Sequence, residues 1–202
     1  MATVTGAPEG AVQQGGATDP EPFKAAFRRL ASGVCVVMFR RHGRPHGFTA
    51  TSVTSVSMAP PKVLFCVGTG NDSHTHLSVN TPVGISMLSV AQRPLSDRFA
   101  GKAGAAGYDD VAIVEGCGGV LWLPGALAHL SARVAALVPA GDHSIVVCDL
   151  EAASVREEEA APLLHFSRAY HGIAPLPVPI AEPSAGTPDV SVERREPTLV
   201  RR

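Results

Sequence analysis

Strand-like runs follow one another through the second half of the chain with almost nothing between them. Residues 119–123, 126–138, 143–155 and 162–171 are rich in β-branched and other apolar residues, cut by the turn signals Pro124-Gly125 and Ala140-Gly141-Asp142. The first half adds Val34–Phe39, a continuous apolar run that reads as a buried strand, then Gly47–Ser57, Lys62–Val67 and Val83–Val90. Helical signals are few. Asp19 and Pro20 open a segment with Phe23, Phe27 and Leu30 at i, i+4 and i+7, stopped by Gly33. Ser73 is placed to cap a short helix through Val79, and Gln92–Ala100 carries Leu95 and Phe99 one turn apart. Strands this numerous, joined by short turns and not alternating with helices, predict a mostly antiparallel barrel with two or three peripheral helices.

Residues 1–18 have no apolar period and read as a disordered arm; 175–202 carry six prolines among mixed charges and read as a Pro-rich disordered tail. The folded domain is expected over 19–174. A formal net charge of −1 and an aromatic content of 5% argue against nucleic acid as a partner, lacking both the basic field and the stacking platform. No stretch approaches the roughly 20 apolar residues of a membrane span, and the first residues lack the basic patch plus apolar run expected of a signal peptide. Cys35, Cys66, Cys117 and Cys148 are far apart with no CxxC pair, which suits free thiols in the cytoplasm rather than a structural zinc site.

Four segments carry candidate chemistry. Val67-Gly68-Thr69-Gly70-Asn71-Asp72-Ser73 passes from a strand into a helix. It lacks the third glycine and the βαβ surroundings of a dinucleotide fingerprint, but backbone N–H groups and the Ser73 and Thr75 hydroxyls suit a phosphate; an ordinary capped helix explains the same residues. His74 and His76 lie i, i+2 with no third ligand near in sequence, so no metal site is assigned. Along Gly47–Ser57, period 2 puts Thr49, Thr51, Ser55 and Ser57 on one face and Ser52 and Thr54 on the other. Hydroxyls on both faces suit a polar ligand on one side, or a solvated strand face. Asp142-His143 sits on a turn that opens a strand. No Gly-x-Ser-x-Gly elbow is present.

In chain order these pieces are Phe27-Arg28-Arg29-Leu30-Ala31-Ser32-Gly33-Val34, Arg44-Pro45-His46-Gly47-Phe48-Thr49-Ala50-Thr51-Ser52, Ser55-Val56-Ser57 with Pro60-Pro61, Ser73-His74-Thr75-His76, Arg98-Phe99-Ala100-Gly101, Gly141-Asp142-His143 and Tyr170-His171-Gly172. The set resembles the short-chain flavin reductase family, whose fold is the FMN-binding split β-barrel and whose members supply reduced flavin to two-component monooxygenases. The resemblance implies an antiparallel, Greek-key-like barrel and an NAD(P)H:flavin oxidoreductase using FMN or FAD, with NADH or NADPH as co-substrate. It implies a homodimer and a flavin-dependent monooxygenase as recipient. It assigns Pro45, His46, Gly47, Phe48, Thr49, Thr51 and Ser52 to the isoalloxazine and ribityl chain, flanked by Cys66 and Val67. Ser73, His74 and Thr75 fall at the phosphate, with Lys102 as a further cation, and His143 and Tyr170 on the nicotinamide side. Hydride passes from nicotinamide C4 to flavin N5, so the protein must align two rings rather than supply a triad. Two competing readings are a split-barrel flavoprotein that keeps its flavin and acts on an organic substrate, and a non-enzymatic flavin-binding protein.

Overall fold

The computed structural model describes residues 20–101 and 108–173. The expected arm, the tail and Lys102 lie outside them. The elements are α1 (Glu21–Phe27), β1 (Ser32–Gly33), β2 (Cys35–Arg41), β3 (Arg44–Ala50), β4 (Thr54–Met58), β5 (Pro61–Gly68), a 3-10 turn (Asp72–His76), β6 (Pro82–Met87), α2 (Arg93–Ala100), β7 (Val114–Glu115), β8 (Leu121–Trp122), β9 (Ala128–Ala140), β10 (His143–Val155), β11 (Leu164–Phe166) and β12 (Ala169–His171). Seven strands pair antiparallel in the order β3-β2-β6-β9-β10-β5-β4, and β1, β11 and β12 form a separate small sheet.

The closure of the barrel follows from one short link. β3 and β4 are neighbours in sequence but occupy the two ends of the seven-stranded order. The steps from Ala50 to Thr54 reach about 14 Å at full extension. A flat sheet of this many strands is about 29 Å wide, so the sheet must curl until its ends approach. This corrects the expectation of one strand over Gly47–Ser57: it breaks at Thr51-Ser52-Val53, where the chain crosses from one edge to the other.

The continuous apolar run of β2 is explained by burial on both faces. Cys35, Val37 and Phe39 enter the barrel core with Phe48, Phe65, Val67, Val83, Ile85, Val134 and Val146. Val34, Val36 and Met38 point outward into a second cluster capped by Phe99 of α2, Tyr108, Leu121, Leu123 and Leu163. Burial holds the thiols of Cys35 and Cys148 protonated, with pKa values pushed up to about 12.

Other expectations are shifted. α1 ends at Phe27, and its apolar face does not pack on the barrel: Phe23, Phe27 and Leu30 are exposed. Gly33 does not stop a helix but pairs in β1 with Leu164. The strand expected over 162–171 is a hairpin that turns at Ser167-Arg168, both at positive φ. β10 runs over 143–155 as expected, and the helix expected over 92–100 starts one residue later, with Pro94 in its first turn.

Candidate functional site

A cavity of about 640 Å³ opens between β3, the loop after β5 and the end of α2. β3 presents His46, Gly47, Phe48 and Thr49; the loop presents Gly70 to Ser73; Phe99, Ala100, Gly101 and Tyr108 complete the wall. The β3 wall is set by backbone packing. A Cβ on Gly47 would stand 2.6 Å from the carbonyl oxygen of Val37, so only glycine lets β3 sit this close to β2. The Tyr108 hydroxyl donates to the Gly47 carbonyl at 2.9 Å, and its ring stacks on Phe99 with centroids 4.4 Å apart and 11° between planes. Burial raises the pKa of that hydroxyl, so it stays a donor. Thr49 Oγ1 donates to the Ser96 carbonyl at 2.7 Å, which ties the strand to α2.

His46 and Ser73 form the buried polar centre of this wall. His46 is 4% exposed and Ser73 1%, and Nε2 lies 3.0 Å from Oγ. Nδ1 of His46 has no hydrogen-bond partner among the described residues. Its ring meets Phe39, His76 and Tyr108 edge-on. Burial lowers the His46 pKa; Asp72 opposes this while Arg41 and His76 add to it. Asp72 itself pairs with Arg41.

The 70–76 loop is organised by Asn71, not by Ser73 as the sequence suggested. Asn71 Oδ1 accepts the Ser73 N–H at 2.9 Å, and the Asn71 carbonyl accepts the His74 N–H at 2.9 Å. Two of the backbone donors expected to face a phosphate are therefore engaged within the loop. Thr75 Oγ1 donates to the Asp72 carbonyl, and His74 Nε2 bonds Ser144 Oγ at 2.9 Å, which docks the loop on β10.

A second group of expected residues gathers on the far side of β5. Ser52 Oγ accepts the Cys66 N–H at 2.9 Å, while its own proton faces the Cys66 carbonyl at 3.5 Å, the outer limit for a bond. Thr51 is exposed and the Cys66 side chain half-buried, whereas the Val67 side chain lies in the core and presents only backbone. His143 pairs with Gly68 across β10 and β5, half-exposed, with Nδ1 2.8 Å from Asp142 Oδ1. That hydrogen bond holds the Asp142 carboxyl below its usual range. The Thr69 N–H and hydroxyl both donate to the Asp142 carbonyl, which fixes the turn.

Of the residues expected from sequence, His46, Gly47, Phe48, Thr49 and Ser73 meet in the cavity. Pro45 is half-buried one residue before it on β3. Tyr170 lies on β12; its hydroxyl bonds Ser96 Oγ at 2.8 Å and its ring lies under Arg93, so its polar end is engaged by α2. Phe99, Ala100, Gly101 and Tyr108 were not assigned a role from sequence. The Arg98–Gly101 run pointed to three of them; Tyr108 is the one aromatic in the Gly/Ala-rich stretch 101–110.

Residues 27–174 match the family model described as a flavin reductase like domain. The chain belongs to the flavin reductase-like family. Among curated proteins it is 37% identical, over 74% of its length and 94% of the relative's, to the reductase component of 4-hydroxyphenylacetate 3-monooxygenase from Thermus thermophilus. It is 34% identical to an NADH:riboflavin 5'-phosphate oxidoreductase from Streptomyces pristinaespiralis, over 79% and 91% of the two chains. Among solved structures, the NADH:FAD oxidoreductase of Streptomyces globisporus, in complex with NAD and FAD fragments, superposes with a TM-score of 0.71 at 30% identity, covering 78% of this chain and 96% of that one.

The cavity fits the flavin of this family. Its volume falls in the range of ligand pockets, roughly 300–1,000 Å³. Its wall combines a stacked aromatic pair with the buried polar pair His46 and Ser73, suited to a flat ring system carrying a polar chain.

Proposed function

We infer that this chain is an NAD(P)H:flavin oxidoreductase that reduces FMN or FAD and supplies the reduced flavin to a monooxygenase component. The observation that carries the reading is the cavity, which brings together five of the residues the resemblance assigns to the flavin in a chain that matches the family over 27–174. Bound flavin supplies the hydride acceptor; the chain supplies position and polarity. β3 and the Phe99–Tyr108 pair would line the ring, and the Ser73 end of the cavity would take the phosphate. Ser52 suits the pyrimidine edge of the ring, where negative charge grows on reduction: its oxygen is fixed by the Cys66 N–H, and its proton is only weakly engaged. Thr49 is less suited as a donor because its proton is committed to Ser96. His143, exposed at the mouth of β10 beside Gly68, is the candidate for aligning the nicotinamide.

The homodimer belongs to the same proposal. Leu64 and Cys66 of β5, Ile145 and Val147 of β10, and Ala136 and Val138 of β9 stand opposite one another on the outward face, half-buried or exposed. An apolar stripe on a barrel exterior suits a second subunit, and it adjoins Ser52 and His143. A cytoplasmic location is consistent with the cysteines, all of them free thiols. Among the described residues no helix is long and apolar enough to cross a membrane.

Steady-state NADH and NADPH oxidation with excess FMN, FAD or riboflavin, and no other acceptor, tests the reading. Many turnovers per chain are expected. Oxidation that begins only when an organic substrate is added would favour a flavoprotein that keeps its flavin, and binding of flavin without oxidation would favour a non-enzymatic binder.

A further inference from the structure

The strongest feature left unexplained is the orphaned ring nitrogen of His46. A neutral imidazole has one N–H and one lone pair, so the tautomer decides what Ser73 has left to offer. Two arrangements satisfy the 3.0 Å contact between Nε2 and Ser73 Oγ. In one, Nδ1 carries the proton and Ser73 donates to Nε2. This buries an N–H with no partner and uses up the serine proton. In the other, Nε2 carries the proton and donates to Ser73 Oγ, and the orphan at Nδ1 is a lone pair. Buried unpaired N–H groups are rarer in proteins than under-satisfied acceptors, which favours the second arrangement. The neighbours of the ring agree: among the described residues, the edge-on rings of Phe39, Tyr108 and His76 give Nδ1–H no oxygen to bond.

We propose that His46 is a positioning residue that acts through Ser73: its Nε2–H anchors the serine oxygen and reserves the serine hydroxyl proton for an anionic oxygen of the ligand. Resting on the flavin reading above, that oxygen belongs to the flavin phosphate. The loop makes the reservation consequential, because the Ser73 and His74 N–H groups are already bonded to Asn71. Burial keeps His46 neutral near pH 7, as the single-donor arrangement requires. The charged and titratable groups around it are Asp72 and Arg41, paired with one another, and His76, Tyr108 and, beyond His76, His42. The same device recurs at Ser52, whose oxygen is anchored by the Cys66 N–H.

Two measurements test this. Nitrogen-detected NMR of the flavin-free full chain reads the His46 tautomer directly; a protonated Nε2 with an unprotonated Nδ1 is expected, and the reverse overturns the proposal. The second measurement is the ratio of riboflavin to FMN dissociation constants, which isolates the phosphate. His46→Phe and Ser73→Ala should each lower that ratio about tenfold, the value of a hydrogen bond to a charged group. Their combination should lower it no further. His46→Gln carries a side-chain N–H as many bonds from Cβ as Nε2 and should hold the ratio within about twofold. A His46→Phe protein with the wild-type ratio, while Ser73→Ala loses it, overturns the proposal. If His46→Phe does not fold, His46→Gln and the tautomer decide. A chain that binds neither flavin refutes the function itself, and the tautomer still reports on His46.

Discussion

Ser73 in the cavity wall and Ser52 beside Cys66 of β5 each have a hydrogen-bond partner held by the fold, yet their surroundings differ. Ser52 Oγ accepts from the Cys66 N–H, and in the arrangement proposed above Ser73 Oγ accepts from the His46 Nε2–H. Ser73 is buried in a wall where Gly47, Tyr108, Asn71 and Asp72 are all engaged with one another or with the barrel. Ser52 lies on the crossing between β3 and β4, beside exposed Thr51 and bonded to the Cys66 N–H of β5. The difference teaches that the cavity wall is held by many mutual contacts, while on the outer side Ser52 bears on the fold through one bond, to the Cys66 N–H. A polar group in low dielectric must be satisfied before any ligand arrives; an exposed one has water.

The largest expected effect lies in the cavity wall. Gly47→Val should destabilise the flavin-free protein by about 3 kcal/mol, because its side chain would overlap the Val37 carbonyl and push β3 from β2. Chemical denaturation of the wild type and variant measures it; an unchanged midpoint would mean the wall is not rigid.

Ser52→Ala sharpens the comparison from the other side. It removes the acceptor of the Cys66 N–H, so stability should fall by about 1 kcal/mol, and flavin affinity should fall by a similar amount. Calorimetry without flavin and titration with flavin separate the two losses. Loss of affinity alone would show that water replaces the serine at Cys66.

The cavity wall should also respond to pH. Burial lowers the His46 pKa below the 6.5 of the unfolded chain. Between those two values the unfolded state binds the extra proton and the folded state does not, so stability falls as pH drops below about 6.5 and levels off once the folded ring is protonated. Thermal unfolding from pH 7.5 to pH 5 should show this slope, and His46→Gln should remove its share. A slope that persists unchanged in His46→Gln would assign it to other groups.

The smallest effect on the fold is expected at His143. His143→Ala should leave flavin affinity within about twofold and raise the KM for NADH, with a lower rate of hydride transfer if the ring aligns the nicotinamide. Stopped-flow reduction of bound flavin distinguishes this from a residue that only shapes the turn with Asp142.

The same contrast governs what could be read from sequence. The apolar run Val34–Phe39 and the bounds of β10 are local signals, and the structure carries both. The break at Thr51-Ser52-Val53 is not local: these residues keep strand propensity with no glycine or proline, and only barrel closure requires them to cross between edges. The turn at Ser167-Arg168 is hidden for a related reason, since its two positive φ values fall on a serine and an arginine rather than on the glycine, asparagine or aspartate that usually marks such positions. The hydroxyls of Thr49, Ser52 and Ser73 are visible in sequence, but their partners come from remote elements: Ser96 for Thr49, Cys66 for Ser52, His46 for Ser73. Tyr108 had no periodic neighbours to mark it, and its bond to Gly47 spans 61 positions.

The location of the flavin is tested most directly by a crystal structure of the full chain with FMN. The ring system is expected against His46–Thr49 and the Phe99–Tyr108 wall, with a phosphate oxygen within hydrogen-bond distance of Ser73 Oγ. FMN bound in the groove beside Gly125, His129 and Arg156, or bound without any contact to Ser73, would contradict it.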